Sequence, residues 1–218
     1  CTMTASESVS SLGGPTITAA LVNDVDCFGG ANGSATSNVT SGNGPYTYVW
    51  SPSGGTAATA TNLSAGVYSI SITDANGCNS VDNVVVNEPS AIIAQASSQP
   101  ASCFGSATGS ASVVVAGGSA SYTYVWTPGN STASSPNGLS AGNYSVVVTD
   151  ANGCTTSAAT TVNQPTQLNI NITPTAALCN GSANGSAQAN VSGGTAGYSY
   201  SWFPSGGGAS SALNLSAG

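Results

Sequence analysis

The chain has 218 residues, six cysteines and seven carboxylates but no Lys, Arg or His, which leaves a formal charge of −7 and only 3% charged residues. About a quarter of an ordinary domain is charged. Here the nucleic-acid binders, the Schiff-base lysines, the imidazole acids and bases and the nitrogen metal ligands are missing together, so nucleic acid as a partner and most enzyme classes are excluded. No apolar run approaches the roughly 20 residues of a membrane helix, so no membrane insertion is expected.

The remaining composition is that of strands and turns: Val, Ile, Tyr and Trp cluster between Gly, Asn, Ser and Pro. Cys27, Cys103 and Cys179 are 76 residues apart, and the interval recurs through Trp50, Trp126 and Trp202 and through Leu63, Leu139 and Leu215. Asp74 and Asp150 repeat it, as do Pro89 and Pro165. Cys1 aligns, with an offset of one residue, with Cys78 and Cys154, each of which follows a DANG turn. The phase divides the chain into residues 1–26, the tail of a preceding repeat plus the first strand of the next; 27–89, the core of repeat 1; 90–165, repeat 2; and 166–218, an incomplete repeat 3.

Each repeat offers about six short strands. One precedes the first cysteine, and one follows it with Ala35, Ser37 and Val39, or Ala111, Val113 and Val115, facing inward. The third carries Tyr46, Tyr48 and Trp50 on one face by the two-residue period. In the third copy Tyr198, Tyr200 and Trp202 persist while their neighbours become Ser199 and Ser201, so the aromatic face is the buried one. A weak Thr/Ala strand comes next. A strand led by Tyr68 or Tyr144 follows, and a last one ends at Val86 or Val162. The predicted core is Tyr48, Trp50, Tyr68, Tyr124, Trp126, Tyr144, Tyr200 and Trp202. Short alternating strands with frequent turns, a Trp on a central strand and a Tyr after LSAG describe an all-β chain of tandem immunoglobulin-like antiparallel β-sandwich repeats of 76 residues in an extended array.

A repeat of this size buries too little surface to be robust unaided, and the cysteines offer a staple. Two regular schemes exist: Cys27–Cys78 with Cys103–Cys154, or Cys1–Cys27, Cys78–Cys103 and Cys154–Cys179. Four strand runs separate Cys27 from Cys78, and an even number of antiparallel legs returns a chain to the same end. Leg counting therefore favours Cys27–Cys78 and Cys103–Cys154, with Cys1 and Cys179 pairing outside these residues.

The string CFGGANGSAT from Cys27, GNGPYTYVW at 42–50, NLSAGVYSISITDANGC at 62–78 and Pro89 resembles the SprB-type repeat of Bacteroidetes cell-surface adhesins, gliding-motility adhesins among them. Copies at 103–165 and 179–218 follow the same pattern. The resemblance implies an extracellular tandem-repeat protein of the cell surface or a secreted filament, without catalytic residues, and it does not imply gliding as such.

Asp74 and Asp150 in the DANG turns are the weak calcium candidates, since carboxylate and amide oxygens suit a hard cation. Only one carboxylate recurs per turn, so no cofactor is expected. N-x-S/T sequons make Asn38, Asn190, Asn62 and Asn130 glycosylation candidates, Asn38 and Asn190 on an outward strand face. The expected role is a structural, non-catalytic shaft of an extracellular adhesin or fibril. Its partners are further copies of itself or continuing repeats of the same chain, with covalent glycans. The alternative is a carbohydrate- or surface-binding module carried by each repeat, which requires exposed aromatics.

Overall fold

The computed structural model describes residues 3, 13–205 and 207–216. The first six strands are β1 (Ile17–Asn23), β2 (Gly33–Val39), β3 (Thr47–Ser51), β4 (Thr59–Leu63), β5 (Gly66–Thr73) and β6 (Asn79–Val86). They form two three-stranded antiparallel sheets, β1-β2-β4 and β3-β5-β6. Between the sheets lie Val25, Ala35, Trp50, Ala60, Leu63, Tyr68, Ile70, Ile72, Val84 and Val86. The period-2 alternation is carried through: along β5, Tyr68, Ile70 and Ile72 are buried while Val67 is exposed.

The next six strands repeat the plan: β7 (Ile93–Gln99), β8 (Gly109–Ala116), β9 (Thr123–Thr127), β10 (Asn137–Leu139), β11 (Gly142–Thr149) and β12 (Thr155–Val162) form sheets β7-β8-β10 and β9-β11-β12. The third copy contributes the single sheet β13 (Asn169–Thr175), β14 (Gly185–Ser192) and β15 (Ser211–Leu215), in the order β13-β14-β15. Its aromatic segment at Tyr198–Trp202 is not a strand. β3 pairs with β5, and no counterpart of β5 lies among the described residues.

In immunoglobulin terms the sheets are A-B-E and C-F-G. Trp50 and Trp126 sit on the C strand, 4% and 1% exposed. The F strand opens on a tyrosine corner, with Tyr68 Oη donating to Ser64 O at 3.0 Å and Tyr144 Oη to Ser140 O at 3.1 Å. The fold is therefore a tandem immunoglobulin-like β-sandwich. No strand D is present among the described residues, and its absence changes the direction of the chain.

From the Cys27 end, β2 runs away, and after Val39 the chain reaches the β5–β6 tip, where Ala75 N–H donates to Asn43 O at 2.8 Å. β3 runs back, Thr47 opposite Thr73 and Ser51 opposite Ser69. Residues 52–58 then cross between the sheets without reversing, braced by Trp50 N–H to Gly55 O and Trp50 Nε1–H to Ala57 O. β4 continues the same way, Thr59 opposite Thr36 and Leu63 opposite Gly33. β3 and β4 are thus one leg, and Cys78 lies an eight-residue strand, about 25 Å, from the end that holds Cys27.

By packing, the chain divides into two compact units. One comprises the residues up to Ile93 with Val115–Thr123 and Thr149–Thr156; the other comprises Ala94–Val114, Tyr124–Val148 and the residues from Ser157 onward. The first unit therefore includes the β11–β12 tip of the second repeat.

Candidate functional site

The site of interest is that tip and its seat. In the DANG turn, Asp150 Oδ1 accepts from Asn152 N–H (3.0 Å) and Cys154 N–H (2.8 Å), and Oδ2 accepts from Ser119 N–H (2.9 Å). The buried Asp150 carboxylate is thus saturated by backbone donors. Donation from Ser119 holds its carboxyl below the ordinary carboxylate range against the opposing effect of burial, and Cys154 and Asn152 add to the depression. Asp74 repeats the arrangement with Asn76, Cys78 and Asn43. In both turns the carboxylate is engaged by backbone N–H donors, whose positive ends point at its oxygens.

The seat is built from the end of the first sandwich and the residues leading into the second. Cys27 follows β1 in a turn held by Gly29 N–H to Glu88 Oε2 (2.6 Å) and Val25 N–H to Asn87 O (2.9 Å), and Asp24 Oδ1 accepts from Asn87 N–H (2.7 Å). Opposite, Gly118 N–H donates to Ser90 O (2.8 Å) and Ala151 N–H to Ser119 O (3.1 Å). Gly118 has φ +64°, and a Cβ there would lie 2.8 Å from Asp150 Oδ2 and 2.5 Å from Ile92 Cγ1, so only glycine admits the tip.

Cys27 and Cys154 are disulfide-bonded across this seat, with Cα atoms 5.7 Å apart. Asn152 Nδ2–H reinforces the contact by donating to Asp26 O at 2.8 Å. The pairing corrects the expected Cys27–Cys78 and Cys103–Cys154 bridges. Three legs rather than four put Cys78 at the far end from Cys27, and the cysteine that arrives beside Cys27 belongs to the following repeat. Among the described residues Cys78, Cys103 and Cys179 hold no disulfide; Cys1 lies outside them.

The remaining predicted residues sort by environment. Trp50, Tyr68, Trp126 and Tyr144 are buried, while Tyr48 and Tyr124 are half-buried at the edge of the same cores. Tyr200 and Trp202 are half-buried, lining a groove of about 530 Å³ over β13 and β14. All four candidate sequon asparagines are exposed. Asn62 has φ 57° where Gly138 (φ 68°) and Asn214 (φ 59°) stand in the other copies. Asn130 has φ 50° where the first copy has Gly54. Asparagine at these two places answers a left-handed backbone. Asn38 and Asn190 meet no such demand, since Val114 occupies their position in the second copy.

Leg counting missed the seat residues Gly118, Ser119 and Asn152. Their signal was present: a Ser-Gly or Gly-Gly pair at 41–42, 117–118 and 193–194, the DANG turn and the NEP or NQP junction recur at one interval in the sequence.

The strand order, the buried Trp and the tyrosine corner define a protein of tandem immunoglobulin-like modules joined covalently at a junction. The sequence matches the SprB repeat family at residues 19–55, 96–131 and 171–207, and the chain belongs to that family. The family is found in Bacteroidetes cell-surface adhesins. No curated protein sequence matches the chain. Solved structures similar to it include a chain from work on Dscam isoform specificity, at 11% identity over 71% of this chain and 46% of that one, with a TM-score of 0.28. Another is the BSP domain of a biofilm-associated protein, at 18% identity over 70% of this chain and 29% of that one, with a TM-score of 0.22. The chain spans less than half the length of these solved chains.

Proposed function

We propose that the chain is a load-bearing, non-catalytic shaft segment of an extracellular bacterial adhesin or fibril, its repeats holding a distal element away from the cell. The observation that carries this reading is the Cys27–Cys154 disulfide, which joins the end of one repeat to the tip of the next. Tension entering at Cys27 passes through the sulfur bridge to Cys154 and leaves the intervening residues unloaded. The inward Tyr and Trp rows support a structural role over a sugar-stacking platform, because a platform needs exposed rings. Covalent glycans belong to the same proposal, with Asn38 and Asn190 as the sites whose asparagine the backbone does not otherwise require.

Single-molecule pulling from the two ends tests it. The oxidised chain extends short, and reduction releases the loop between Cys27 and Cys154, 127 residues apart, adding about 420–460 Å of contour at the extended rise per residue. Equal contour lengths before and after reduction would show that load does not run through the bridge, and the shaft reading would fall.

A further inference from the structure

Each unpaired cysteine has a paired counterpart in the repeat register, one repeat away for Cys78 and Cys103 and two repeats away for Cys179. Cys103 and Cys179 stand where Cys27 stands, and Cys78 stands where Cys154 stands. The surroundings of Cys103 reproduce those of Cys27. Gly105 N–H donates to Gln164 Oε1 at 2.8 Å as Gly29 does to Glu88, and Ala101 N–H to Asn163 O at 2.8 Å as Val25 does to Asn87. Gly194 N–H donates to Thr166 O as Gly118 does to Ser90, both at 2.8 Å.

A groove of about 480 Å³ beside Cys103 is lined by Phe104, Pro165, Leu168, Gly194 and Tyr198. It matches the groove beside Cys27, except that the wall made there by Asp150, Gly153 and Cys154 has no counterpart among the described residues. Leu168 and Tyr198 are shared with the larger groove over β13 and β14, where the second repeat carries β11 and β12. The two openings are thus one surface shaped for one object, a strand hairpin with its tip.

We propose that this surface receives the Tyr-led hairpin of a further SprB-type repeat, the segment represented in this chain by residues 142–162, and that Cys103 is clasped to the cysteine at its tip. Cys179 is clasped likewise to the tip of the repeat after that, and Cys78 to the CFG cysteine of a preceding repeat. Each clasp forms by thiol–disulfide exchange: two thiols give up two protons and two electrons to an external disulfide, which departs as two thiols. The pairing follows from the repeat register and the empty wall, so it stands or falls separately from the shaft reading.

A clasp at every junction sets a covalent limit on length. The shortest bonded route alternates one disulfide with a 25-residue run, such as Cys78 to Cys103, in every two repeats. That run reaches about 80–90 Å when fully extended, against about 500–550 Å for two unfolded repeats. Unfolding therefore cannot lengthen the chain appreciably while the clasps hold.

The test mixes the intact chain with a synthetic peptide of the sequence of residues 142–162, which carries a single cysteine, in a buffer of oxidised and reduced glutathione. One peptide is expected per chain, bonded to Cys103 and released by reductant, with the emission of half-exposed Trp202 shifting to the blue. A scrambled peptide with the same cysteine is captured about tenfold less or worse, because only docking raises the effective concentration of the thiol. In the Cys103→Ser variant covalent capture disappears and the emission shift remains. Equal labelling of Cys78, Cys103 and Cys179, or equal capture of the scrambled peptide, overturns the proposal. In native material a non-reducing gel separates the two sources of the hairpin. A single chain whose Cys103 is bonded within itself places it in the same chain, and a ladder of oligomers collapsed by reductant places it in another copy. Free Cys103 thiol throughout native material refutes both.

Discussion

Trp126 is 1% exposed on β9, and its Nε1–H donates to Ala133 O at 2.9 Å, so one side chain fills the core and braces the crossing to the other sheet. Trp126→Ala removes both and is expected to cost about 3–5 kcal/mol, read as a drop in the denaturant midpoint. Tyr144→Phe keeps the ring and deletes only the corner bond to Ser140 O; the expected cost is about 0.5–1.5 kcal/mol. A Tyr144→Phe loss as large as that of Trp126→Ala would show that the hydroxyl, not the ring, governs this corner. Both residues were legible in the sequence, because a buried face on a strand recurs every second position and the third copy exposes which face is kept. That Tyr200 and Trp202 in the third copy are only half-buried was not legible: they follow the same alternation, but no counterpart of β5 lies among the described residues to pair with their segment.

At the scale of elements, the β11–β12 tip is held by a charge. The folded Asp150 carboxyl is stabilised in its ionised form by Ser119 N–H, so its folded pKa lies below the unfolded value of about 3.9. The contribution is complete above that unfolded value and is lost as pH falls through the folded pKa. Acid is therefore expected to loosen the tip below about pH 4, seen as faster amide exchange at Ser119 and Cys154, and Asp150→Asn should show that faster exchange already at neutral pH. Asp82, whose carboxyl is lowered chiefly by Ala19 N–H, docks β1 beside β6 in the same way and titrates in the same direction. Amide exchange at Ala19 separates the two, since the second repeat has Ala158 where the first has Asp82. The alternating strands β5 and β11 and the Asp-Ala-Asn-Gly turns that follow them were readable from periodicity and turn composition. The sense in which β3 and β4 run was not, because strand counting assumes a reversal at each turn and residues 52–58 make none.

For the molecule as a whole, the disulfide is the largest single constraint. A loop of 127 residues corresponds to about 5 kcal/mol of chain-entropy stabilisation in the simple model. Digestion at aromatic residues without reduction is expected to yield a linked fragment containing Cys27 and Cys154, and no fragment linking Cys27 to Cys78. Recovery of Cys27–Cys78 instead would overturn the junction. Trypsin cannot perform this mapping, since the chain has no Lys or Arg, and it is expected to leave even the reduced, denatured chain intact.

The amino-acid sequence by itself determined the period, the inward aromatic rows, the all-β sandwich and the family, because each depends on contacts between residues close in the chain or on repetition alone. The cysteine partners were decided by the tertiary structure. Which end of a sandwich a cysteine reaches depends on the direction of every leg before it, and whether that end meets another repeat depends on where the junction residues seat the tip. One crossing without a reversal changes both answers while leaving the hydrophobic pattern untouched, which is why Cys27 finds Cys154.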